Sequence, residues 1–133
     1  MNSKKIGTQF EQEFCEYLAK HGWWAHFLSA NSKGAQPFDI IAIKDDYVYA
    51  IDCKTCSTER FPFSRIEDNQ RLAFDKIAQA GNVICGFAIK YNSNYYFIPY
   101  SQVLIRMFMG GKSIKFTEGH TYNASYRFEF NPD

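Results

Sequence analysis

The sequence predicts one α/β domain, a central mixed β-sheet flanked by helices, on the strength of two observations. Segments with helical spacing of apolar residues alternate along the chain with short runs of β-branched and aromatic residues. Polar clusters containing Gly, Asn, Asp or Ser separate many of these segments, with no internal repeat and no low-complexity linker, so residues 1–133 read as a single domain.

From Thr8 to His21, Phe10, Phe14, Tyr17 and Leu18 recur every three or four residues, which predicts a first helix with Gly22 as its stop. Trp23 to Leu28 reads as a strand, and Ser29 to Gln36 as a polar loop of small residues. The apolar runs 38–43 and 47–54 read as a hairpin turning through Lys44-Asp45-Asp46. After a loop from Thr55 to Ser64, Ile66, Ala73, Ile77 and Ala80, with Leu72 and Phe74, predict a second helix ending at Gly81. Val83 to Lys90 and Tyr95 to Tyr100 read as strands joined through Asn92-Ser93-Asn94, and Ser101 as the N-cap of a short helix through Met109, stopped by Gly110-Gly111. Ser113 to Thr117 and Tyr126 to Phe130 are the remaining strand candidates.

At 133 residues, 46% hydrophobic and 18% aromatic, the chain can bury a substantial core. A net charge of +1 supplies no general field for polyanions, so contact with nucleic acid must come from local basic groups and bound metal. No apolar stretch reaches the length of a bilayer span, and Met1-Asn-Ser-Lys-Lys5 lacks the apolar segment of a signal peptide; the expectation is a cytoplasmic protein with no membrane partner.

The chemistry concentrates on the hairpin. Strand alternation places Asp52 and Lys54 on one face and Cys53 on the other, while the first strand of the hairpin brings Asp39 alongside. Two adjacent carboxylates repel unless a hard divalent cation such as Mg²⁺ lies between their oxygens. The plain alternative is a solvated Asp52–Lys54 ion pair, which is worth little; against it, both acids sit at the ends of apolar runs, Ile40-Ile41-Ala42-Ile43 and Val48-Tyr49-Ala50-Ile51. Cys53 and Cys56 have C-x-x-C spacing, but Cys15, Cys85 and the three histidines are scattered and Cys56 leads into a polar loop, so neither zinc nor redox chemistry is expected.

The order of a Glu on a first helix, an Asp, then Asp-x-Lys on a hairpin resembles the PD-(D/E)xK nucleases, and within them the RecU-like Holliday-junction resolvases. The resemblance runs through Gly7-Thr-Gln-Phe-Glu11, Asp39, Asp52-Cys-Lys54, Phe61-Pro62-Phe63, Ile66-Glu-Asp68-Asn-Gln70 and Tyr96-Phe97-Ile98. Asp52 stands where Glu is expected, Asn69 where His is, and the segment between Gly22 and Pro37 is too short for the protruding stalk of larger members. The resemblance implies a restriction-endonuclease-like core and a metal-dependent endodeoxyribonuclease, with Mg²⁺ as cofactor and Mn²⁺ as a substitute. It implies Asp39, Asp52 and the Cys53 carbonyl as metal ligands, Lys54 beside the attacking water, and Glu11 and Gln70 assisting. Glu11 lies at the inward flank of the first helix, whereas Glu13 and Glu16 fall on its polar side; a first-turn Glu complementing the helix dipole is the ordinary alternative, as an exposed helical residue is for Gln70.

Ser32, Lys33, Arg60, Ser64 and Arg65 lie in loops whose composition suits DNA phosphates. Trp23 and Trp24 offer rings for stacking on bases, although one of two adjacent strand residues normally packs inward. Phe61 and Phe63 either wedge at an opened branch or anchor their loop. The expected function is resolution of branched DNA by paired nicks from a homodimer; a restriction-type or single-strand nuclease, and a non-catalytic DNA-binding module, are the alternatives.

Overall fold

The computed structural model describes residues 3–28 and 36–117. Helix α1 (Ser3–Lys20) buries Phe10, Phe14 and Leu18, spaced four apart and hence stacked on one side of the helix. Each such side chain contributes about 2 kcal/mol on leaving water. The helix starts earlier than its apolar stripe, at Ser3, and ends where Gly22 takes φ 87° and Trp23 N–H donates back to the Leu18 carbonyl.

Strands β1 (Trp24–Phe27), β2 (Ile40–Lys44) and β3 (Tyr47–Thr55) form an antiparallel meander, the β2–β3 turn being closed by Asp45 at φ 54°. The stretch predicted as loop between Thr55 and Ser64 contains a further short strand, β4 (Arg60–Pro62), followed by a single 3₁₀ turn at Phe63–Arg65. Helix α2 (Asp68–Ala80) then crosses back to β5 (Ile84–Tyr91), which lies parallel to β3, and β6 (Asn94–Pro99) returns antiparallel. Helix α3 (Tyr100–Phe108) precedes β7 (Ser113–Lys115), which pairs with β4 in a separate two-stranded sheet. The main sheet runs β1-β2-β3-β5-β6 and is mixed, as expected.

One correction concerns helix α3. The helix begins at Tyr100 with Pro99 in the N-cap position and no side-chain cap, so Ser101 does not cap it. Its start is fixed instead by the buried Tyr100, whose hydroxyl donates to Asp75 Oδ1 at 2.7 Å. The strand candidate Tyr126 to Phe130 lies outside the described residues.

The core divides across the sheet. Under α1 lie Ile40, Ala42, Ile51, Ala88 and Phe97; on the opposite side Phe61, Phe63, Phe74, Phe87, Ile98, Tyr100 and Phe116 pack beneath α2 and α3. Gly86 marks the tightest point between β5 and β6, since a Cβ there would stand 2.5 Å from the Ile98 carbonyl oxygen and from the Phe97 ring.

Candidate active site

The site forms where β2 opens from β3. Asp39, just ahead of β2, donates its N–H to the Ile51 carbonyl at 2.9 Å, and its Oδ2 accepts the Cys53 N–H at 2.8 Å. A side-chain oxygen thus takes the place of a ladder carbonyl, which seats the Asp39 carboxylate against β3 beside Asp52. Lys54 shares the face of Asp52, two residues on, with Nζ 3.1 Å from Asp52 Oδ2. Cys53 packs the other way, into the cluster under α1, as alternation requires.

Helix α2 reaches the same point from the opposite side of the sheet to α1. Gln70 is only 5% exposed, and its Nε2 donates to Asp52 Oδ1 at 2.9 Å while its Oε1 accepts the Glu67 N–H at 3.2 Å. The second contact belongs to a capping box in which Glu67 and Gln70 each satisfy the other's backbone N–H, so the helix start dictates which end of the amide faces Asp52. The exposed-glutamine alternative is therefore excluded. Asn69 holds the same helix start to the chain leading into Asp39, donating to the Gln36 carbonyl at 3.2 Å.

The electrostatics are those of acids held too close together. Burial, then the neighbouring Asp39, push the Asp52 carboxyl well above the usual carboxylate range, and Lys54 offsets this only in part. Glu11 is pushed up to about 7 by burial and by Asp39, against the same opposing pull of Lys54. The structure therefore brings Glu11, Asp39, Asp52, Lys54 and Gln70 together. Asp52 Oδ2 is buried and, among the described residues, lacks a well-formed hydrogen bond; the Lys54 ammonium at 3.1 Å is its ion-pair partner.

Such an orphaned carboxylate oxygen beside a second carboxylate suits a hard divalent cation. No three His, Cys, Asp or Glu side chains among the described residues converge closely enough to enclose an ion by themselves. A Mg²⁺-like cation needs no such cage, because one or two carboxylates suffice when water and substrate phosphate supply the remaining oxygens.

The other expected residues are more dispersed. Ser32 and Lys33 lie outside the described residues. Arg60, Ser64 and Arg65 are exposed on β4 and the turn after it; Arg60 donates to Ser113 Oγ at 3.2 Å, and Arg65 donates to the Thr55 carbonyl at 2.8 Å and lies over the Phe61 ring at 6.0 Å. Phe61 and Phe63 are buried, which makes them anchors of this segment and removes the wedge alternative. Glu13 lies partly exposed on the polar flank of α1 and is paired there: it accepts from Lys90 Nζ at 2.9 Å and from the Tyr95 hydroxyl at 2.6 Å. The sheet is wider than the apolar stripe of α1, so β5 and β6 reach the flank on which Glu13 sits. Sequence periodicity gave no sign of this; the Glu67-x-x-Gln70 spacing, read as a capping box, would have turned Gln70 inward.

Known proteins resemble the chain in sequence and in fold. The family model described as archaeal Holliday junction resolvase (Hjc) matches residues 2–118. The crossover junction endodeoxyribonuclease Hjc of Methanocaldococcus jannaschii is 33% identical over 92 residues, which are 69% of this chain and 64% of that protein, so the chain spans somewhat less than two thirds of its relative's length. The structure of Archaeoglobus fulgidus Hjc, described as a Holliday junction resolvase from an archaeal hyperthermophile, superposes with a TM-score of 0.57 over 70% of this chain and 75% of that one, at 19% identity, which shows a shared fold. Neither relative is described as RecU-like. With a match that takes in α1, the hairpin acids and the second helix, the chain belongs to the archaeal Holliday junction resolvase family Hjc, a family of PD-(D/E)xK nuclease type.

Proposed function

We propose that the protein is a Mg²⁺-dependent endodeoxyribonuclease that resolves four-way DNA junctions by paired nicks, with Mn²⁺ able to substitute. The observation that carries this reading is the buried Asp52 Oδ2, without a well-formed hydrogen bond, held beside Asp39 with the Lys54 ammonium 3.1 Å away. Asp39 and Asp52 would hold the cation, with the Cys53 carbonyl and Glu11 as further oxygen donors. When bound, the cation supplies Lewis-acid chemistry, offsetting charge on the phosphoryl oxygens and acidifying water.

The chain's own residues do the rest. Lys54 donates hydrogen bonds toward the attacking water and the phosphoryl oxygens, so that its positive charge stabilises the negative charge that grows there. Gln70 spends its N–H on Asp52 Oδ1, which leaves Oδ2 as the oxygen free to bind; its part is to orient Asp52. Glu11, beside Asp39, would assist the cation or its water. Arg60 and Arg65, with Ser64, Ser32 and Lys33, would neutralise and hydrogen-bond the DNA backbone, so binding falls as salt rises.

Two symmetric nicks require two sites, and we infer a homodimer with two-fold symmetry. Its support is the exposed apolar side of α3. Leu104 and Phe108 lie one turn apart, Phe108 93% exposed, and Leu104 borders an apolar cavity of about 240 Å³ lined also by Ala78, Val83, Ile84 and Tyr100. The protein would act in the cytoplasm, where its DNA is. The RecU-like affinity is retained as a likeness of active-site chemistry within the same nuclease type.

The test is incubation of the protein with labelled four-way junction, flap, single-stranded and linear duplex DNA in Mg²⁺, beside Lys54→Ala and Asp52→Asn. Symmetric nicks in the junction, absent in both variants, are expected. Equal cutting of linear duplex would make the protein a general nuclease, and junction binding without cleavage in Mg²⁺ or Mn²⁺ would overturn the catalytic reading.

A further inference from the structure

One aromatic pair stands open on the side of the sheet that carries Asp52 and Lys54. Alternation puts Trp24 and His26 on the same side of β1, and the pairings Trp24 with Ile43, His26 with Ile41, Ile43 with Val48 and Ile41 with Ala50 join that side to the face of Val48, Ala50, Asp52 and Lys54. Over β5 and β6 this face is covered by α2 and α3, and α1 covers the opposite face of β1 to β3. Among the described residues nothing covers the stretch over β1 and β2: Trp24 is 59% exposed, Ile43 is exposed, and the His26 ring lies 5.8 Å from the indole at an interplanar angle of 10°.

Packing does not account for Trp24. Its neighbour Trp23 does the packing, meeting Tyr49 edge-on at 5.2 Å on the α1 side. With Ile43 exposed beside it, the indole makes an apolar patch on the edge strand that is open to a ligand.

We propose that Trp24 and His26 form a stacking surface for an unpaired nucleobase of the branched DNA substrate; this rests on the nuclease reading above. The Trp24 indole is stacked on the His26 ring beside the exposed Ile43, an aromatic stack that the π-face of any base can extend. A phosphate is the poorer fit, because the turn adjoining Ile43 carries Asp45 and Asp46. The surface is continuous with the acids: four residues along β3 and two strands across, about 17 Å, roughly five steps of B-form duplex. Intact duplex keeps its bases stacked, so only a base released near a branch can occupy the site. The pair would therefore select structure rather than sequence.

The experiment measures binding in EDTA, where no cleavage occurs, by anisotropy of labelled four-way junctions with and without unpaired thymines at the branch and of linear duplex. In a Trp23→Phe background the remaining indole emission is that of Trp24, and the junction with unpaired thymines is expected to quench it. Trp24→Ala should weaken binding of that junction about tenfold, with Trp24→Phe recovering most of the loss and duplex affinity unchanged. Equal affinity of Trp24→Ala and wild type for all three DNAs, or an equal loss on duplex and junction, would overturn the proposal. A Trp24→Ala protein that changes from dimer to monomer in sedimentation would overturn it too, by assigning the surface to a second copy. Wild-type protein that cuts no DNA yet shows the Trp24-dependent binding would remove the nuclease reading and leave this one standing.

Discussion

Glu11 and Glu13 lie two residues apart on the same helix and meet opposite fates. Glu13 reaches Lys90 and the Tyr95 hydroxyl, and although burial works against its charge, those two donors outweigh it and hold its carboxyl below the usual value. Glu11 reaches Asp39 instead, and burial plus that second acid raise it to about 7. A satisfied carboxylate ties α1 to the far strands of the sheet. An unsatisfied one is an acid waiting for a cation or a proton. The same contrast separates two lysines: Lys90 is matched to Glu13 at 2.8 Å, whereas Lys54 faces two buried acids and cannot neutralise both.

The sharpest break of this comparison is in activity. Lys54→Ala should lower junction cleavage by about 10²- to 10⁴-fold, in the range of a lost general acid–base or charge-stabilising group, with the circular dichroism spectrum unchanged. Lys90→Ala should leave the folded enzyme cutting within about threefold of wild type; a loss as deep as that of Lys54→Ala would erase the distinction. Next in size is metal linkage. Wild-type protein should gain melting temperature on addition of Mg²⁺, and Asp52→Asn should gain none, as read by calorimetry.

Glu13→Ala should cost about 1 kcal/mol of stability in urea unfolding, the figure for charge-assisted hydrogen bonds reduced because the pair is partly exposed. Smallest is a pH effect on the metal-free protein. A carboxyl raised from 4.5 to about 7 binds more protons folded than unfolded between those values, so Glu11 favours the fold at low pH and that advantage is lost as pH rises through 7. The melting temperature in EDTA should fall between pH 5 and 8, and less so in Glu11→Gln. An identical profile in both proteins would remove Glu11 from the acid cluster.

Much of this was legible in the sequence because β-structure writes its alternation plainly. The pattern of the hairpin placed Asp52 with Lys54 and turned Cys53 away, and the register observed for β2 and β3 agrees. Asp39 was placed near by its neighbourhood in sequence, but the hydrogen bond from Cys53 N–H that seats it depends on the opening of the ladder and has no sequence signature. β4 was missed because three residues containing a proline carry no periodicity; it exists by pairing with β7, about fifty residues away. The partners of Glu13 were illegible for a related reason, since a helical wheel knows the helix and nothing of the breadth of the sheet beneath it. Ser101 satisfied a local rule at α3, and the buried Tyr100 beside it set the helix start instead.

Asp52 and Lys54 belong to β3, the middle strand of the five, bonded antiparallel to β2 on one side and parallel to β5 on the other. A middle strand of this kind exchanges its amide hydrogens only when the whole sheet comes apart. Heating should therefore keep Asp52 and Lys54 in place until cooperative melting, while residues on β1, at the rim, fray first.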